Sequence, residues 1–192
     1  MSRLFQPSFS GTTAKAFTRW TAALAVAIAM TTGCATQHAP IDMASQVDLE
    51  RFAGTWYVVG NIPTFIEKEA YNATEVYSSP DNGRIATTFT YNKGALDGPQ
   101  KTWRPVAWVS EESNALWGMQ FLWPFRAEYR ILHVDADYQT TIVGRSARDY
   151  LWIMARTPHP DPADYASLVE IAVAQGYDAN KIHKVPHNPP AG

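Results

Sequence analysis

Side chains able to run covalent or acid–base chemistry are few in this chain, and they do not cluster in sequence. The one cysteine is Cys34, and the histidines His38, His133, His159, His183 and His187 are scattered. His183 and His187 come closest to a ligand spacing, but Pro186 breaks the helix that such a pair would need. No metal site is expected. The chain has no nucleophile elbow, Walker sequence or dinucleotide fingerprint, so no cofactor is expected either. Asp135 and Asp137 belong to the segment DADY, where such acids shape a turn more readily than they share a proton. Glu75 is the exception. It interrupts an apolar and aromatic face, and a carboxyl buried there must be paired, protonated or engaged with a ligand head group. Arg104 and Arg130 are its candidate ion-pair partners. This inventory points to a binding protein rather than an enzyme. The alternative is an enzyme acting on a lipid, an isomerase or de-epoxidase-like activity with Glu75 or His133 as the base.

The front of the chain concerns location. Residues 1–33 carry Arg3, Lys15 and Arg19, then the apolar run 20–30, then small residues leading to Cys34. That order is a signal peptide, its apolar core too short to span a bilayer comfortably. The sequence TTGC resembles a bacterial lipobox, with Thr31 where leucine is usual. The resemblance implies that Cys34 is acylated and becomes the first residue of the mature chain. Ala35 after it implies sorting to the outer membrane, on its periplasmic side. Multiple acyl chains make a stable anchor, at roughly 0.8 kcal/mol per buried methylene. Residues 34–47 are polar and aperiodic and read as a flexible tether. Without residues 1–33 the chain holds 13 basic and 18 acidic groups, about −5 in charge, which offers nothing to nucleic acid. No residue pattern speaks for a particular oligomeric state.

Between residues 48 and 186 the period is that of antiparallel β structure. Eight strands are predicted, at 55–60, 71–78, 84–91, 101–109, 115–121, 126–134, 139–143 and 150–155, divided by short turn clusters. Pro105 inside the fourth marks a bulge or a locally unpaired edge. An eight-stranded meander removes its edges by closing into a barrel that encloses a small ligand. The period then changes. Asp161 and Pro162 cap a helix whose Tyr165, Leu168, Val169, Ala172 and Val173 share a face, and Gly176 ends it. A short strand at 181–185 and a tail at 187–192 follow.

In an up-and-down barrel, separated features meet at one end. Gly54 and Trp56, the turn holding Asp137 and Tyr138, and Arg156 all fall at the base, where the arginine can cover the Trp56 ring. These three segments (GTWY, DADY, and DYLWIMAR with a helix after it) resemble the three motifs of lipocalins. With the lipobox and the RTP at 156–158, the chain is most similar to bacterial outer-membrane lipocalins. The resemblance implies an eight-stranded up-and-down barrel with one helix outside. It also implies binding of fatty acids or lysophospholipids at the outer membrane.

Strand alternation assigns the interior. Trp56 and Val58 share one face, as do Ala73, Glu75 and Tyr77, then Tyr129, Ile131 and His133, then Tyr150, Trp152 and Met154. Val58, Ala73, Glu75, Tyr77, Tyr129, Ile131, Trp152 and Met154 are therefore the candidate ligand contacts, and the resemblance puts Trp152 first. At the opposite end from Trp56, Phe65, Ile66, Leu96, Leu122, Trp123 and Phe125 form an apolar mouth that covers a ligand, meets a membrane or packs on itself.

Overall fold

The computed structural model describes residues 39–189. The segment 1–33 expected to be a signal peptide and the expected lipidation site Cys34 lie outside the described residues. The polypeptide enters the barrel through a one-turn helix α1 (Leu49–Phe52), with Asp48 accepting the Glu50 and Arg51 amides as N-cap. Strands β1 (Gly54–Ile62), β2 (Ala70–Tyr77), β3 (Arg84–Lys93), β4 (Gln100–Trp103), β5 (Val106–Val109), β6 (Leu116–Leu122), β7 (Phe125–Val134), β8 (Thr140–Gly144) and β9 (Leu151–Ala155) follow. Neighbours pair antiparallel, and β1 pairs with β9, so the sheet closes. β4 and β5 both pair with β3, at Phe89 opposite Trp103 and Ala86 opposite Val106. They are one strand interrupted at Arg104 and Pro105, as the proline predicts. The barrel thus has eight strands and no free edge.

Helix α2 (Pro162–Ala174) packs outside, with Asp161 as its N-cap. Two cores result. One fills the barrel; the other lies between the barrel wall and α2, and includes Val59, Leu132, Ile142, Ile153, Leu168 and Ala172. β9 serves both, with Trp152 and Met154 inward and Leu151 and Ile153 outward, which is why all five of its residues are buried. The helix comes close because β1 has Gly60 beneath it. A Cβ there would stand 2.6 Å from the Tyr165 hydroxyl. Val173, expected on the buried face, is 43% exposed; Leu168 and Ala172 hold the contact instead. Strand β10 (His183–Lys184) adds to β1 at Gly60 and Asn61.

Two expectations about the ends of the domain are corrected. Residues 39–47 are not a free tether, because Ile41 and Val47 are buried and the Ala44 amide donates to the Ile131 carbonyl at 3.0 Å. Apolar side chains every few residues give this segment a seat along the barrel. The tail is likewise fixed at its start, where the His187 ring bonds the Val58 carbonyl at 2.8 Å and the Asn188 amide donates to Asn72 Oδ1 at 2.7 Å.

The base is closed. Gly54 adopts φ +95, a backbone that other residues rarely take, with Arg156 Nη1 next to where a Cβ would stand. The Arg156 guanidinium lies 3.8 Å over the Trp56 ring. It donates to the carbonyls of Thr55, Arg51, Phe52, Ala53 and Tyr138. It thereby satisfies carbonyls that the end of α1 leaves without helical partners. Trp56 Nε1 donates to the Phe52 carbonyl at 2.8 Å, and the Tyr138 hydroxyl accepts from the Asp48 amide. Asp137 is exposed and takes no part in the clamp. Asp135 organises the turn instead, accepting from the Thr140 amide and hydroxyl and the Asp137 amide. Burial pushes its carboxyl up, but these bonds outweigh burial and hold it below the usual range.

Candidate ligand-binding site

Above the base, the lower half of the barrel is solid. Phe52 rises from α1 into the axis, with its ring centroid 5.1 Å from that of Trp56 and 5.4 Å from those of Tyr77 and Trp117. Val58, Ala73, Tyr77, Ile131 and Met154 belong to this packed core and do not line the cavity. They point inward as alternation predicts. However, aromatic side chains from α1, β1, β2 and β6 fill the space in front of them.

The cavity lies in the upper half and measures about 300 Å³. Of the residues expected at the ligand, Phe65, Glu75, Tyr129 and Trp152 line it. Its rim is apolar and open to solvent, with Phe65 at 82%, Leu122 at 70% and Phe125 at 77% exposure. Trp123 beside them is 85% exposed.

His133 is not part of the site. The β7–β8 register shifts between Ile131 and His133, so Ile131 opposes the inward Val143 while His133 opposes the outward Ile142. One bulged residue turns His133 out of the barrel. Half-buried there, it is pushed below the usual imidazole range by desolvation.

Glu75 faces inward and is buried, but neither expected arginine meets it. Arg104 is exposed, and Arg130 pairs with Glu128 at 2.5 Å. The partners are hydroxyls. Tyr77 donates to Glu75 Oε2, the Tyr129 hydroxyl reaches the same oxygen at 3.2 Å, and the two hydroxyls bond each other. Burial raises the Glu75 carboxyl, the neighbouring Glu67 charge raises it further, and the Tyr129 bond lowers it only in part. It is pushed up to about 8. Burial also raises Tyr129, with the Glu75 charge adding to it. At neutral pH Glu75 is therefore mostly a neutral acid.

Glu67 is the residue that sequence reasoning missed. It lies in the loop joining β1 to β2 and is 6% exposed. Its Oε1 accepts from Trp152 Nε1 at 2.7 Å, and its Oε2 accepts from the Thr64 amide at 3.0 Å and from the Thr64 hydroxyl. A signal was present: Thr64 and Glu67 spell the T-x-x-E of a capping box, in which the acid reaches back to the amide three residues before it. Thr87 was missed as well. It lines the cavity at 3% exposure, and its hydroxyl has no hydrogen-bond partner among the described residues.

A family model described as a lipocalin-like domain matches residues 47–187. Temperature-induced lipocalin-1 of Arabidopsis thaliana is 29% identical over 160 residues, covering 80% of this chain and 86% of the relative. Outer membrane lipoprotein Blc of Citrobacter freundii is 29% identical over 145 residues, covering 74% and 80%. Insecticyanin from the tobacco hornworm Manduca sexta matches with a TM-score of 0.62 at 14% identity, over 78% of this chain and 86% of that one. At that identity the likeness is one of fold.

Proposed function

Because the chain belongs to the lipocalin-like domain family, we propose that its barrel binds, stores or transports a lipid, a fatty acid or lysophospholipid, at the bacterial outer membrane. One observation carries this reading: the barrel is packed solid at its base and hollow at its mouth, where about 300 Å³ opens between Trp152 and the apolar rim. That volume is at the small end for ligand pockets and suits one aliphatic chain better than two. The relatedness to an outer membrane lipoprotein supports the location.

Acylation of Cys34 fits the same picture. The Ala39 carbonyl accepts from Arg148 at 2.7 Å, and Arg148 sits in the β8–β9 loop at the mouth end. Only four residues lie between Cys34 and Ala39. An acyl anchor on Cys34 would tether the chain a short distance from Ala39 and favour an orientation with the exposed Trp123 at the bilayer surface, where Trp side chains are enriched.

An enzymatic reading survives in one form. With His133 outside the barrel, the acid–base group is Glu75, which at neutral pH holds a proton it can donate. Native mass spectrometry of the protein isolated from membranes tests the main proposal. Lipid is expected to co-purify with the wild type at one chain per barrel and to fall at least tenfold in Trp152→Ala. An empty wild-type barrel that takes up no added lipid overturns it.

A further inference from the structure

The polarity of the cavity runs against what a simple fatty-acid sleeve needs. Its open rim is the apolar part. Its floor holds Glu75, Tyr129 and the unpartnered Thr87 hydroxyl. Thr87 lies opposite Tyr77 in the β2–β3 ladder, and Glu75 lies two residues before Tyr77 on the same strand face. The two polar groups therefore project into the barrel from adjacent strands. Both tyrosines bond the same oxygen of Glu75, which leaves the other carboxyl oxygen for a ligand. A buried hydroxyl with no partner is costly, so the tail of an alkyl chain resting on Thr87 would leave that cost in place.

Charge sharpens the point. The cavity wall carries Glu67, Glu75 and Glu128, and against them Arg145. Arg145 stands in the β8–β9 loop at the mouth end, its Nη1 held by Asp149 at 3.1 Å and its guanidinium over the Tyr150 ring, with Nε unpartnered among the described residues. Glu128 is held by Arg130 and by the Ser146 amide and hydroxyl. Among the described residues no cation hydrogen-bonds or pairs with Glu75, so a carboxylate pushed to the floor would be desolvated without a counter-charge, near Glu67.

We propose that the ligand enters polar end first and that this end is a hydrogen-bonding group without negative charge, a hydroxyl or an amine, received by Glu75 and Thr87 on the cavity floor. A hydroxyl donates to the Glu75 carboxyl and accepts from Thr87. An amine donates to both. The hydrocarbon then runs outward past Trp152 to Phe65, Leu122 and Phe125. This rests on the reading of the cavity as a lipid site, and it replaces the fatty acid or lysophospholipid by a neutral or cationic single-chain amphiphile.

Three ten-carbon probes test it on the full chain by calorimetry at pH 7: decanol, decylamine and decanoate. Decanol and decylamine are expected to bind at least tenfold more tightly than decanoate. Thr87→Val is expected to weaken decanol and decylamine about three- to tenfold and to leave decanoate unchanged. Glu75→Gln is expected to reduce the advantage of decylamine more than that of decanol. Equal binding of the three probes to the wild type overturns the inference while leaving the lipid-binding proposal standing. Binding of none overturns both. The wild-type comparison needs no variant, so a misfolded variant cannot mask the answer.

Discussion

Trp56 and Trp152 stand near opposite ends of one barrel, both facing inward and both bonded through the indole N–H. They differ in what accepts the bond. Trp56 is fully buried and donates to a backbone carbonyl, that of Phe52, under an arginine that donates to the same carbonyl and to four others. Trp152 is 7% exposed and donates to the carboxylate of Glu67, carried on a loop, with a second carboxyl at Glu75 below. Backbone acceptors do not titrate, and the Phe52 carbonyl cannot be withdrawn without unfolding the end of α1. Side-chain carboxyls do titrate and can exchange one partner for another. The base is thus built as a fixed closure, and the mouth from groups that a ligand or a proton can reorganise.

The largest break in this contrast is at the base. Trp56→Ala is expected to cost about 3–5 kcal/mol of stability, read from urea unfolding, because it empties the centre of the aromatic core and strips Arg156 of its ring. A loss below 1 kcal/mol would show that Arg156 alone closes the barrel.

At the other end, Glu75→Gln should be stabilising, and increasingly so with pH. The Glu75 carboxyl titrates at an ordinary 4.5 when unfolded and is pushed up to about 8 when folded, chiefly by burial. Below the lower value it is protonated in both states. Between the two the unfolded chain ionises while the folded chain keeps its proton, so stability falls as pH rises, and above about 8 the loss is complete. The variant should remove that slope and gain on the order of a few kcal/mol at pH 9 relative to wild type. Thermal melts from pH 4 to 9 check it, and parallel wild-type and variant curves would refute it.

Glu67→Ala leaves Trp152 Nε1 unpaired and is expected to cost about 1–3 kcal/mol. It should also shift tryptophan emission, since the indole loses its acceptor. The smallest effect on stability is at the rim. Trp123→Ser is expected to stay within about 0.5 kcal/mol of wild type. The same change should weaken partition onto phospholipid vesicles, measured by sedimentation. A large stability loss instead would place Trp123 in the core.

The closed barrel, the base clamp and the outer helix were legible in the residues because each rests on local information. Alternation, turn clusters, Gly54 before Trp56, and Asp161 before Pro162 all act within a few positions of themselves. What failed did so for definable reasons. A single bulged residue at Leu132 reversed the side on which His133 lies, and nothing in its composition marks a bulge. Glu67 reads as an ordinary loop acid until its loop folds inward over Trp152. Phe52 falls outside every predicted element and gains its role only when α1 sets its ring among Trp56, Tyr77 and Trp117. Arg104 and Arg130 were reasonable counter-ions by charge, yet two tyrosines on the right strands reached Glu75 first.

By itself, and outside the β7 bulge at Leu132, the sequence determined which side chains face into the barrel, for a pleated strand sends alternate residues to opposite faces. Only the tertiary structure decided which of those side chains meet an empty space and which meet another side chain. That depends on what all eight strands and α1 deliver to the same height on the axis. Val58, Ala73, Tyr77, Ile131 and Met154 met Phe52 and its aromatic neighbours; Glu75, Tyr129 and Trp152 met the cavity.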